Sequence, residues 1–199
     1  MKRISGTILA LMIAASAVCA FAQSDLDGFP VGTTTMVYEV ISEGVSEPQT
    51  LELVVTVRGD DLYTVRMTTE ATGSAEELAA GFGFIFGAAS VSSGTGRDVN
   101  YSSIQALIDQ RSRLQAGEDY ALPGADFVNV VAVTIAGIDC LEGTIVDSDR
   151  PDSRTTIAFA LTDPVYISPR IVVEELRGGE WVETFRMELV EYSYAEGGG

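Results

Sequence analysis

The chain has 199 residues, of which 29 are acidic and 12 are basic, and its formal net charge is −17. It contains two cysteines and no histidine. A surface this acidic repels phosphate backbones and anionic lipid headgroups, which argues against nucleic-acid binding. The missing histidine excludes Ser-His-Asp and Cys-His catalysis, and histidine metal sites, within this chain.

The first 22 residues have the order of a secretory signal peptide. Lys2 and Arg3 form a basic start, residues 8–15 an apolar stretch, and residues 20–22 (Ala-Phe-Ala) a small-x-small cleavage site. The apolar stretch is too short for a membrane span. We therefore predict export to the periplasm or the cell exterior, with no transmembrane span in the exported chain.

Removing residues 1–22 changes the chemistry of what remains. Lys2 is the only lysine, so the remaining chain has none, and Schiff-base and Walker-lysine chemistry are excluded. Lipid attachment at Cys19 is disfavoured, because Val18 stands where such a motif has a small residue. Cys140 is then alone, so no intramolecular disulfide is expected. We predict one domain over residues 23–194 and a flexible glycine-rich tail over residues 195–199.

Alternating apolar and polar residues predict a chain built mainly of strands. The clearest pattern is a hairpin in which Tyr63, Val65 and Met67 continue the apolar face of the preceding strand. The predicted strands are 33–42, 51–58 with its return strand, 127–135, 138–146, 155–161, 171–176 and 181–192. Ala136-Gly137 and Gly178-Gly179 are predicted to be tight turns.

Two helices are predicted between the two groups of strands. Ser74 and Glu77 have the spacing of a capping box, which opens the apolar run 78–91. The alternation of phenylalanine and glycine in that run is equally consistent with a strand. A second helix is indicated by the spacing of Ile104, Leu107, Ile108 and Leu114. The predicted fold class is therefore α+β: a mainly antiparallel sheet, curved or half-barrel, with about two helices on one face.

The run 78–91 is also the main functional candidate. It is almost free of polar groups, and its glycines would let it expose a concave apolar surface to a lipid or another apolar small molecule. We predict ligand-binding residues Phe82, Phe84, Ile85 and Phe86 in an exported, non-catalytic binding or carrier domain without a cofactor.

Two other functions are consistent with the sequence. The first is a structural or protein-interaction module of the cell envelope, which binds an envelope protein and no small ligand. The second is a carboxylate-dependent hydrolase, for which Trp181 beside Glu180 and Glu183 could supply a sugar-stacking platform. An ordinary strand position is the favoured interpretation of Trp181. The loop 147–152 has the alternating acids of a calcium loop, but its composition favours a surface turn, and no metal site is predicted.

Overall fold

Nine antiparallel strands form one open sheet in the computed structural model of the chain. The structure describes residues 29–59, 62–74, 106–107, 110, 113–161 and 168–197. The strands are β1 (Gly32–Ser42), β2 (Gln49–Arg58), β3 (Leu62–Glu70), β4 (Tyr120–Leu122), β5 (Ala125–Ile135), β6 (Ile138–Asp147), β7 (Ser153–Ala160), β8 (Arg170–Arg177) and β9 (Glu180–Glu196).

The order of strands across the sheet is β3-β2-β1-β9-β8-β7-β6-β5-β4. Every neighbouring pair is consecutive in sequence except β1 and β9, which join the first group of strands to the second. Their register places Tyr38 opposite Leu189 and Val40 opposite Met187. This long-range pairing makes one continuous sheet of two meanders, with β3 at one end and β4 at the other.

The strand predictions are confirmed, including the turns. Ala136 and Gly137 have φ values of 48° and 80° between β5 and β6, and Gly178 and Gly179 have 62° and 91° between β8 and β9. Two central residues with positive φ are what a two-residue hairpin turn requires. β9 runs through Glu196, because Ala195 and Glu196 pair with β1, so these two residues of the predicted tail belong to a strand.

The predicted α+β class is wrong. The described residues form an almost entirely antiparallel β-structure and contain no complete helix; among them, α-helical backbone occurs at Ala106, Leu107 and Gln110, and 3₁₀ backbone at Arg113. The run 78–91, where the first helix was predicted, lies outside the described residues. Leu107 and Leu114 are nevertheless buried, so this part of the second apolar pattern does mark core positions. The helical spacing therefore predicted correctly that these residues are buried, but it did not predict the fold class correctly.

Two clusters of buried side chains form the core. The first core lies mainly on β1, β2 and β9 and includes Met36, Tyr38, Val55, Phe185 and Leu189. The second core lies mainly on β5, β6 and β7 and includes Leu107, Phe127, Leu141, Ile157 and Phe159. The partly buried Ile171 of β8 packs against both cores, so they are adjacent along the sheet.

Candidate functional site: the open edge of the sheet

The β3 edge is the part of the described sheet that is least covered. β3 pairs with β2 over an unbroken register from Thr50–Glu70 to Arg58–Leu62. No other described strand lies on its outer side. An edge strand leaves about half of its amide and carbonyl groups pointing away from the sheet, where they can pair with another chain.

The apolar face of the sheet continues onto β3 but loses its cover there. Directly opposed residues of an antiparallel pair share a face, and Val65 lies opposite Val55 while Met67 lies opposite Leu53. Val55 is 1% exposed, whereas Val65 is 50% and Met67 is 53% exposed. Leu62, at the start of the strand, is 57% exposed. Three large apolar side chains of one edge strand are therefore half open to solvent.

Within Leu62–Glu70, β3 lacks several of the usual devices that protect an edge strand. Natural edges are blunted by proline, by a bulge, by inward-pointing charges or by being very short. β3 has nine residues, no proline and no register shift against β2. Its charged residues are Arg66 and Glu70, and only Arg66 lies in the middle of the strand. The strand is long, regular and mostly uncharged, as a template for strand addition must be.

The opposite edge is short and irregular. β4 has three residues, and β5 beside it is bulged between Val128 and Val131. The Gly117 amide donates to the Val130 carbonyl (2.7 Å), and Asp119 Oδ1 accepts from the Asn129 amide (2.9 Å). The segment 113–119 thus takes up backbone groups that the bulge removes from the ladder.

The two halves of the sheet also differ in how many of their arginines form ion pairs with carboxylates. Five of the eight arginines in the described residues lie within 4.0 Å of a carboxylate, and all five are in the second half of the chain: Arg150, Arg154, Arg170, Arg177 and Arg186. Arg58 and Arg66, both exposed on the β2–β3 hairpin, form no ion pair with a described carboxylate. The same holds for Arg113, whose carbonyl is near the Tyr120 hydroxyl.

The predicted ligand-binding residues Phe82, Phe84, Ile85 and Phe86 lie outside the described residues. The structure therefore does not test an apolar ligand site there, and that site stays a prediction. Among the residues that the structure does describe, no helix is long and apolar enough to cross a membrane.

The loop 147–152 has the geometry of a polar turn. Asp147 Oδ1 accepts a hydrogen bond from the Asp149 amide (2.9 Å), which closes an Asx turn, and Arg150 Nε lies 4.0 Å from Asp147 Oδ2. Throughout the described ranges, no three histidine, cysteine, aspartate or glutamate side chains are grouped so that they could hold a metal ion.

Trp181 is a strand residue with a neighbouring cation. The guanidinium carbon of Arg154 lies 4.3 Å from the centroid of the Trp181 ring, and Arg154 also donates to both oxygens of Glu174 (2.7 and 2.9 Å). An arginine held in this way covers one face of the ring. The described acids thus give the hydrolase hypothesis little support, since Glu142, Glu174, Glu183 and Glu188 all bind arginine.

Sequence reasoning found the residues of the β3 edge but not their role. The alternation of Tyr63, Val65 and Met67 indicated an apolar face, and nothing in that pattern tells a central strand from an edge strand. The signal that the sequence did contain was an absence of strand-protecting residues: no proline, glycine or lysine interrupts residues 62–70.

Comparison with protein-family models and with curated proteins found no match. Among solved structures, the chain is similar to the complex of MucA and MucB from Pseudomonas aeruginosa, with 10% sequence identity and a TM-score of 0.47 over 93% of this chain. It is also similar to a crystal structure of MucB, with 10% identity and a TM-score of 0.48 over 92% of this chain. The chain spans 58% and 61% of the length of those two chains. Similarity at this level establishes no shared function, so function must be argued from this chain's own residues.

Proposed function

We propose that this chain is an exported, non-catalytic protein-interaction module that binds an extended segment of a partner protein along β3. The observation that carries the proposal is a regular nine-residue edge strand with three half-exposed apolar side chains. Strand addition supplies backbone hydrogen bonds for affinity, and alternate side chains supply specificity. Export is the expectation from the signal-like residues 1–22.

The exposed side chains suit such a partner on both faces of the strand. Val65 and Met67 would contact apolar side chains at alternate positions of the added segment, extending the first core by one strand. The other face of β3 carries Leu62, Thr64, Arg66 and Thr68. Valine, threonine and tyrosine pack well across strands, and β3 is rich in them.

The charge of the chain favours a different protein over a second copy as the partner. Each chain carries a formal charge of −17, so pairing of two β3 edges would bring two strongly acidic molecules together. Self-repulsion of this kind keeps acidic proteins monomeric. A partner with a lower negative charge would meet the same edge without that cost.

A labelled peptide tests the proposal directly. The probe is a fluorescein-labelled decapeptide with the sequence of β2 (Gln49–Arg58), because β2 already pairs with β3 in the fold. We expect saturable binding by fluorescence anisotropy and slower hydrogen exchange in residues 62–70, with no change in residues 120–122. Absence of binding, or protection located away from β3, would refute the proposal.

Two double variants with the same charge change supply the control. Val65→Lys with Met67→Lys should weaken probe binding by at least about tenfold, because two apolar contacts are lost. Val131→Lys with Val190→Lys changes residues that are 49% and 55% exposed on other strands and should leave binding unchanged. Equal effects of the two double variants would show that binding depends on charge and not on the β3 edge.

A further inference from the structure

We infer that the segment bound at β3 carries an acidic side chain, aspartate or glutamate, opposite Arg66 and between two apolar residues. This inference rests on the proposed function and adds the chemistry of the partner to it. The observation behind it is the uneven pairing of arginine in a chain with a large excess of acids.

Unpaired arginines are unexpected at this composition. Acidic residues outnumber basic ones by 29 to 12, so a random arginine on this surface has carboxylates near it. In the strands β6 to β9, that expectation is met. Arg170 donates to Glu142 (2.7 Å) and to Glu188 (3.0 Å), and Arg154 makes a two-pronged contact with Glu174.

Arg66 stands in a different environment, in the middle of the open edge. It lies opposite Val54, and the residues two positions away on its own face of β3 are Thr64 and Thr68. The closest carboxylate position in the register is Glu52, diagonal to Arg66 and opposite Thr68. The structure describes no ion pair between Glu52 and Arg66. Arg66 is exposed, on a strand that has no described strand on its outer side.

A strand added outside β3 would place one of its side chains directly opposite Arg66. The side chains on either side of that position would lie opposite Val65 and Met67, on the apolar face. A carboxylate at the middle position gives a cross-strand ion pair, whereas a lysine or arginine there gives like-charge repulsion. The pattern that this edge selects is therefore apolar-acidic-apolar, read along the bound segment.

Arg58 extends the same preference. It is exposed at the end of β2, opposite Leu62, on the same face of the hairpin as Arg66. The same face carries Glu52 of β2 and Glu70 of β3, so its two arginines and two glutamates cancel in formal charge. An acidic segment therefore meets less repulsion on this face of the β2–β3 hairpin than the net charge of −17 of the whole chain would suggest.

Three versions of the labelled β2 decapeptide test the inference, with glutamate, glutamine or lysine in place of Val54. If the peptide binds antiparallel in the register that β2 itself has, position 54 lies opposite Arg66. We expect the glutamate probe to bind about three- to fivefold more tightly than the glutamine probe, and the lysine probe most weakly. The difference should shrink as salt is raised from 50 to 500 mM.

Variants of the protein separate this inference from the proposed function. Arg66→Gln should remove the difference between the glutamate and glutamine probes, and Arg66→Glu should reverse the order of the glutamate and lysine probes. Arg113→Gln changes an exposed arginine near the other edge and should preserve the order. If all three probes bind equally and still depend on Val65 and Met67, the acidic preference is refuted and strand addition stands. If none binds, both are refuted.

Discussion

The two ends of the sheet show how differently one chain can build an edge strand. At the β4 edge, the strand has three residues, β5 beside it is bulged, and Gly117 and Asp119 of the segment 113–119 bind backbone groups of β5. At the β3 edge, nine residues continue the ladder without a bulge and without cover from a described strand. Protection of an edge strand is thus built locally, and in the described residues β3 has neither a bulge nor a neighbouring strand on its outer side.

The largest expected difference between the edges is in the cost of losing one large apolar side chain. Phe127 of β5 is fully buried and lies opposite Tyr120 of β4. Its ring packs edge-on against the ring of Phe159, with the two ring centroids 6.2 Å apart. Phe127→Ala should lower the free energy of unfolding by about 3–5 kcal/mol. Met67→Ala, at the open edge, should change it by less than about 0.5 kcal/mol.

Urea unfolding followed by circular dichroism measures both values. Equal costs would mean that Met67 is packed as tightly as Phe127, and the β3 edge would then not be open.

The sequence predicted strand positions and faces well, because both depend on local alternation. Tyr63, Val65 and Met67 fall on the apolar face as expected, and the Ala136-Gly137 turn follows from two positions that need positive φ. Strand order could not be predicted in this way. β1 pairs with β9, more than a hundred residues away in sequence, and the alternation within a strand does not indicate which strand is its partner.

The open edge could not be predicted for the same reason. Whether β3 is an edge depends on what pairs with it, and the structure beside β4 depends on Gly117 and Asp119 binding the bulged part of β5. The mistaken α+β class has a related cause. A capping box and an apolar run report local preferences, whereas the fold class is decided by how many strands join one sheet.

The reactivity of cysteine distinguishes the buried interior of the sheet from the β3 edge. Cys140 of β6 is fully buried, and burial raises the pKa of its thiol to about 11. At pH 8 its thiolate fraction is then about a hundredfold smaller than that of an ordinary exposed thiol. A cysteine introduced by Met67→Cys should react with iodoacetamide more than about a hundredfold faster than Cys140.

Mass spectrometry of the two cysteine-containing peptides, taken from the same sample, gives the ratio of rates. Because only the thiolate reacts, lowering the pH slows both reactions, and the ratio should persist down to pH 7. A ratio near one in the native protein would contradict the burial of Cys140, and a ratio near one in 6 M guanidinium is the expected control.

Two glycines distinguish tight packing inside the sheet from open space beside β3. A Cβ placed on Gly143 of β6 would lie 2.5 Å from the ring of Phe127, whereas a Cβ on Gly59, in the β2–β3 turn, would have no atom within 4 Å. Gly143→Ala should therefore cost about 1–3 kcal/mol. Gly59→Ala should be neutral or stabilise the fold by up to about 1 kcal/mol, by restricting the unfolded chain.

The cause of the Gly143 effect can be checked with a double-mutant cycle. In a Phe127→Leu background the ring is gone, so Gly143→Ala should cost less than it does in the parent protein. Strict additivity of the two changes would show that the penalty has another origin.

The smallest expected difference concerns a single hydroxyl at each edge. The Tyr120 hydroxyl accepts a hydrogen bond from the Gln115 amide (2.7 Å) and lies 3.2 Å from Glu118 Oε2, so it ties the preceding segment 113–119 to β4. Tyr120→Phe should cost about 0.5–1.5 kcal/mol and speed hydrogen exchange at Gln115. Tyr63, on β3, makes no side-chain hydrogen bond with a described residue, so Tyr63→Phe should change neither stability nor hydrogen exchange.

The β2 decapeptide tests whether the Tyr120 hydroxyl also limits strand addition at β4. If Tyr120→Phe allowed the peptide to slow hydrogen exchange in residues 120–122, the hydroxyl would be part of what prevents a strand from adding there. The β4 edge would then differ from β3 by a few hydrogen bonds made by the segment 113–119.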